Sequence, residues 1–96
     1  MLILFYDTEI KVLTSPDPAS YIKTEYGDVQ PFSKSVSFED GFVIDITKRI
    51  FCDSESLINI DSYVIIENEK YKVMDIKEWD SYIEVYLYKC KRQIGL

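Results

Sequence analysis

Few side chains in this sequence are suited to chemistry, and their spacing does not favour it. Two carboxylate pairs, Asp7 with Glu9 and Glu39 with Asp40, have the residue types of general acid–base work. On an acidic chain such pairs are ordinarily solvated charge. No histidine occurs, which removes the commonest general base and the Ser-His and Cys-His nucleophile pairs. Its absence also removes imidazole-ligated zinc, and Cys52 and Cys90 stand 38 positions apart, too far for a zinc knuckle. Gly27, Gly41 and Gly95 are the only glycines and form no phosphate-cradling loop. Asp53-Ser54-Glu55 lacks the further acids and the central glycine of a calcium loop. The expectation is a non-enzyme, with no catalytic residue, no cofactor site and no metal site.

Tyrosine is the surplus residue, with eight copies in 96 residues, and it is a type enriched at protein interfaces. Tyr82, Tyr86 and Tyr88 share one parity with Glu84, so they line one face of a strand. Three readings stay open for that face: a contact stripe, a base-stacking platform for single-stranded nucleic acid, or plain cover for the sheet. Lys89, Lys91 and Arg92 follow, with no acid after Glu84. The net charge is -6, from 17 acids and 11 bases; without those three bases the balance is 17 against 8. A basic strand end on an acidic body suits an acidic protein surface; a solvated strand end that keeps the chain soluble is the plainer alternative. A general grip on DNA or anionic lipid is disfavoured, because both require a basic face. Tyr21 and Tyr26 stand among polar neighbours in a Pro-containing segment and complete the set of candidate contact residues.

The elements that must carry these residues are strands. Alanine occurs once, at Ala19, whereas 24 β-branched and 14 aromatic residues make up 38 of the 96. Such side chains fit a pleated surface and lose rotamer freedom in a helix. Residues 2–6 and 8–14 read as an opening strand or strand pair, the second alternating with period two. Residues 15–31 hold all three prolines and two isolated tyrosines, and read as a long loop that can move; an irregular edge strand over 20–26 is the plainer alternative. Strands follow at 32–38 and 42–52, joined by Glu39-Asp40-Gly41. Lys48 falls on the apolar parity of Ile44, Ile46, Ile50 and Cys52, which predicts a bulge near Thr47. Asp53 to Ile58 is the one helical candidate, a single turn at most. Strands 63–67 and 70–79 flank a hairpin turn at Asn68-Glu69, and the parity switch from Val73 to Met74 predicts a second bulge. Asp80-Ser81 turns the chain into a last strand, 82–91, with Ile83, Val85 and Leu87 on one face. The expected fold is all-β: one domain over 1–96, a small antiparallel β-barrel of about six strands with one long loop, since closure removes sheet edges.

Two cysteines are too few for a disulfide scaffold; they pair if their strands are neighbours, and otherwise remain thiols in a reducing compartment. The start lacks the basic flank of a signal peptide, and no stretch approaches the roughly 20 apolar residues of a membrane span. A soluble cytoplasmic protein is expected.

The segment from Ile60 to Leu87 resembles the closing half of the small head-completion (head-closure, head–tail joining) proteins of tailed bacteriophages and defective prophages. The matching features are the strand Val64 to Glu67, Tyr71-Lys72-Val73, Trp79 before a turn, and Ile83 to Leu87. The strand around Ile44-Asp45-Ile46-Thr47 fits as well. The family often has Gly-Asp before that strand and a glycine in the hairpin, where this chain has Asp61-Ser62 and Asn68-Glu69. The resemblance covers about half of the chain. It implies a structural head–tail connector component that docks on the portal and adaptor ring, seals the DNA exit and offers an attachment surface to the tail-completion protein. It implies a homo-oligomeric ring on assembly, a monomer or weak oligomer alone, DNA only as a channel contact, and no membrane. The place of action is the bacterial host cytoplasm during assembly and then the virion head–tail interface. A long loop reaching the channel belongs to the same picture, and residues 15–31 are the candidate for it.

Overall fold

A computed structural model describes residues 4–90. Six strands form: β1 (Thr8–Leu13), β2 (Tyr21–Ser37), β3 (Val43–Asp53), β4 (Tyr63–Ile66), β5 (Glu69–Glu78) and β6 (Tyr82–Lys89). They neighbour one another in the order β1-β2-β3-β6-β5-β4, and β4 closes back on β1 through the pair Val12 with Val64. Every pairing is antiparallel. The small all-β barrel expected from composition and alternation is therefore the fold.

The barrel interior is filled with side chains. Ile10, Val12, Ile50, Cys52, Val64, Ile66, Tyr71, Val73, Ile83, Val85 and Leu87 are buried, and Ile58 joins them from the β3–β4 connection. Each buried aliphatic side chain contributes about 1.5–3 kcal/mol. Tyr71 and Val73 both take inward positions on β5, and the Tyr71 hydroxyl donates to Glu69 Oε2 at 2.8 Å. Gly27 is required where β2 presses on this core. A Cβ there would lie 2.7 Å from Ile50 Cγ2 and 2.8 Å from Ile10 Cδ1.

Both bulges exist, and one has moved. On β5, Val73 pairs with Leu87 and Asp75 with Tyr86, so Met74 is the extra residue, as expected. The bulge expected at Thr47 lies across from it, on β2. Pro31 pairs with Lys48 and Lys34 with Ile46, leaving Phe32 and Ser33 opposite Thr47. Proline has no N–H for the ladder, so the break falls on its strand.

Four further expectations are corrected. The loop over 15–31 is short: Tyr21 onward belongs to β2, a strand of 17 residues, and paired strands on both sides outweigh the scattered prolines. The one helical turn is not at 53–58 but at Pro18–Ser20, where Asp17 caps the Ala19 N–H at 2.9 Å and proline starts the turn. The hairpin turn is Glu67-Asn68 rather than Asn68-Glu69, with φ of 51 and 66 degrees, the left-handed pair that matches strand twist. Leu4 to Tyr6 form no strand; the Phe5 N–H donates to Asp28 Oδ2 at 3.1 Å.

One feature sets the shape of the molecule. β6 pairs with β3 only from Lys48 to Asp53. Beyond that, Lys34–Ser37 and Val43–Ile46 pair only with each other among the described residues. The result is a two-stranded ribbon that runs on past β6; Ile46 in it stays buried, and Lys34, Val36 and Ile46 border a groove with Met74, Lys77 and Tyr86. The ribbon turn is closed by the Phe38 N–H donating to the Phe42 carbonyl at 2.8 Å, with Gly41 at φ 85 degrees.

Candidate interaction surfaces

The outer wall formed by β2, β3 and β6 carries the densest side-chain network. Gln30 pairs with Arg49 and Arg49 with Tyr86; Asp28 pairs with Phe51 and Phe51 with Glu84. These register positions place Glu84 on the outer face, yet its side chain is only 7% exposed. Arg49 Nη1 donates to Glu84 Oε2 at 3.2 Å, the Tyr86 hydroxyl donates to the same oxygen at 2.8 Å, and Trp79 Nε1 donates to Oε1 at 3.2 Å. Arg49 also donates through Nε and Nη2 to Gln30 Oε1. Its guanidinium lies 5.3 Å over the Phe32 ring and 5.1 Å over Phe51. Tyr86 packs on Phe32 at 5.2 Å, and Tyr82 packs on Phe51 and Trp79 at 5.7 and 6.1 Å. Burial, with the Glu84 hydrogen bond next, pushes the Tyr86 hydroxyl up to about 12.

The eight candidate contact residues do not form one patch. Tyr82 and Tyr86 belong to this wall, and their rings are engaged within it. Tyr88 is half-buried further along β6, its pKa raised by burial first. Lys89 pairs with Glu69 at 3.1 Å, both half-exposed. Tyr21 and Tyr26 lie exposed on β2; the Tyr21 hydroxyl shares a 2.7 Å hydrogen bond with Thr24 Oγ1. Lys91 and Arg92 lie outside the described residues.

The carboxylate pairs are separated from one another. Asp7 and Glu9 border a shallow groove with Lys11 and Glu67. Glu39 and Asp40 are in the ribbon turn, where Asp40 Oδ1 accepts the Phe42 N–H at 3.0 Å. Among the described residues no group of three or more acidic or thiol side chains is placed to hold a metal ion. Neither cysteine is in a disulfide; Cys52 is buried, and burial pushes its thiol up to about 12.

Sequence reasoning missed three features. Arg49 and Glu84 read as ordinary outward residues of alternating strands, and only cross-strand register brings them together. Phe38, Phe42 and Val43 read as strand ends, yet they are exposed at the ribbon tip, with the two rings 6.2 Å apart. Leu57 and Ile60 fell in a presumed helical turn and its flank, and are half-exposed at one end of the barrel. Comparison with known proteins finds no matching family model and no matching curated relative.

Proposed function

We propose that the protein is a structural component of a tailed-phage head–tail connector. It docks on the portal and adaptor ring, closes the DNA exit channel and offers the tail-completion protein its attachment surface. The observation that carries this reading is the β2–β3 ribbon with Phe38, Phe42 and Val43 exposed at its tip. A barrel filled with side chains puts its working surface outside, and the ribbon tip exposes Phe38, Phe42 and Val43 there. The ribbon also leaves strand edges unpaired among the described residues, which suits β-augmentation by a neighbour. It is the ribbon, rather than residues 15–31, that serves as the reaching element, since Tyr21 onward is paired strand. An acidic body with a net charge of -6 suits a channel through which DNA passes without sticking.

In this role the protein is a monomer or weak oligomer alone and a ring on its partner. It acts in the bacterial host cytoplasm during assembly and at the virion head–tail interface afterwards. The test is co-sedimentation with purified portal–adaptor rings of the same phage or prophage. Ring-bound protein is expected, with binding reduced by Phe38→Ser combined with Phe42→Ser. No complex with intact rings overturns the reading. The rival, a barrel for single-stranded nucleic acid, has Tyr82 and Tyr86 already packed on other rings. A labelled-oligonucleotide titration at low salt is expected to show no binding.

A further inference from the structure

β3 runs beyond its pairing with β6. Lys48, opposite Leu87, is the last β3 residue so paired, and Val43 to Ile46 have only β2 as a neighbour among the described residues. The ribbon turn fixes which backbone groups are left over. The Phe38 N–H donates to the Phe42 carbonyl at 2.8 Å, so these two residues form a hydrogen-bonded pair. Antiparallel pairs alternate between bonded and non-bonded. Ile44 and Ile46, opposite Val36 and Lys34, therefore turn their N–H and carbonyl groups to β2. Val43 and Asp45 turn theirs to the side that β6 has left. A strand edge of this kind is a template for one more strand.

Beside that edge lies a groove of about 380 Å³. The ribbon supplies Lys34, Val36 and Ile46 to it, and the barrel supplies Met74, Lys77 and Tyr86. Ile46 is buried, and Val36, Met74 and Tyr86 are half-buried, so the floor is apolar and partly open. Three charged side chains line it, Lys34, Lys77 and Asp75. Both lysines are exposed, and neither is in an ion pair among the described residues. Lys77 lies 5.6 Å over the Tyr86 ring. Asp75 Oδ1 accepts the adjacent Ile76 N–H at 2.9 Å. Asp45, the one acid in the paired part of the ribbon, is on the opposite face, where the Ser35 hydroxyl donates to it at 2.7 Å. On a chain of net charge -6 this groove is a local reversal of sign, with two cations to one carboxylate.

We propose that the groove and the β3 edge together bind an extended acidic and apolar segment of a partner protein, as a strand added to β3. Main-chain hydrogen bonds to Val43 and Asp45 supply the pairing, and side chains on alternate positions supply the selection. Successive residues of an added strand fall on opposite faces. On the groove face, an apolar side chain lies beside Ile46, and carboxylates two positions before and after it reach Lys34 and Lys77. On the other face Asp45 repels acids, so serine or threonine suits that phase. The recognised pattern is acid-x-apolar-x-acid, with x uncharged and polar. This inference rests on the ribbon as a docking element and names the chemistry that docks there. Co-sedimentation with rings tests the connector reading and a peptide tests the pattern, so either can fail without the other.

The probe is a short synthetic peptide, blocked at both ends, in which threonine alternates with glutamate, leucine and glutamate. It is titrated into the full 15N-labelled chain at low salt. Amide shifts at Val43, Asp45 and the groove residues are expected, saturating below about 1 mM peptide. Lys34→Glu with Lys77→Glu weakens binding by about tenfold or more, and the same double variant binds the peptide that carries lysine in place of glutamate. Moving the glutamates to the threonine phase weakens binding by a similar factor. N-methylation of alternate peptide residues abolishes binding in one phase and spares it in the other, because only one phase faces β3. Val36→Thr, which keeps a branched strand former and removes apolar contact, also weakens binding. No shift at Val43 or Asp45, equal binding of a glutamate-free peptide, no effect of the two lysine substitutions, or N-methylation that acts alike in both phases overturns the proposal.

Discussion

Replacing Arg49 by methionine tests the outer-wall network most directly. The substitution leaves the Glu84 carboxylate, 7% exposed, without its cationic partner. Removing one member of a buried ion pair costs about 3–5 kcal/mol. Here Arg49 is itself 32% exposed, and the Tyr86 hydroxyl and Trp79 Nε1 remain as donors. Solvent screening and those two hydrogen bonds reduce the electrostatic cost to about 2 kcal/mol. The stacks on Phe32 and Phe51 are lost as well, at about 0.5–1 kcal/mol each, partly offset by the apolar volume of methionine. Arg49→Met is thus expected to cost about 2–3 kcal/mol, a fall of roughly 10–20 °C in Tm for a domain of this size. Glu84→Gln keeps an acceptor for Trp79 and leaves Arg49 with Gln30 and water, so it costs only about 1 kcal/mol. The double variant is expected to be milder than the sum of the singles by about 1 kcal/mol or more. Urea unfolding followed by Trp79 fluorescence, with far-UV circular dichroism as the second probe, measures all three. Strict additivity, or a Glu84→Gln cost larger than that of Arg49→Met, refutes the reasoning.

Three other expectations follow from single positions. Gly27→Ala places a Cβ 2.7 Å from Ile50 Cγ2 and 3.0 Å from the Phe51 carbonyl, and is expected to cost about 1–3 kcal/mol; a neutral result in urea unfolding contradicts the close approach. Glu67→Asn with Asn68→Gly suits the left-handed turn and is expected to add about 0.5–1 kcal/mol, read as a higher urea midpoint at unchanged slope. Alkali should destabilise the fold. Burial raises Cys52 from 9.0 to about 12, and burial with Glu84 raises Tyr86 from 10.0 to about 12. Groups that hold their protons more tightly when folded contribute fully below about pH 9 and lose that contribution as pH climbs toward 12. Tyr86→Phe flattens the part above pH 10, and a wild-type midpoint constant from pH 8 to 11.5 rules the effect out.

Much of the fold was legible because period two is a local signal. Ile83, Val85 and Leu87 alternate in sequence and all face the core. The β5 bulge was legible too, since a parity switch between Val73 and Met74 is what lets Ile76 as well as Tyr71 and Val73 pack on the core. The second bulge was seen from the wrong strand. A parity error at Lys48 records that register changes near Thr47, but which strand carries the extra residue depends on the partner, and Pro31 decided that. Residues 15–31 misled because proline and isolated tyrosines are loop signals locally. Pairing of β2 with β1 and β3 outweighed them.

The sequence by itself determined that this is a β domain, that its strands alternate, and that its turn at Glu39-Asp40-Gly41 is tight, because side-chain branching and left-handed turn residues act within a few positions. It also determined where charge sits along the chain. Only the tertiary structure decided which charges share a surface. Strand order β1-β2-β3-β6-β5-β4 brings Arg49 to Glu84 across 35 positions and sets Lys34 and Lys77 on one groove. The same order leaves half of the β2–β3 hairpin beyond the reach of β6, as a ribbon of two strands paired only with each other among the described residues. Such juxtapositions depend on register between strands distant in sequence, and no local periodicity encodes them.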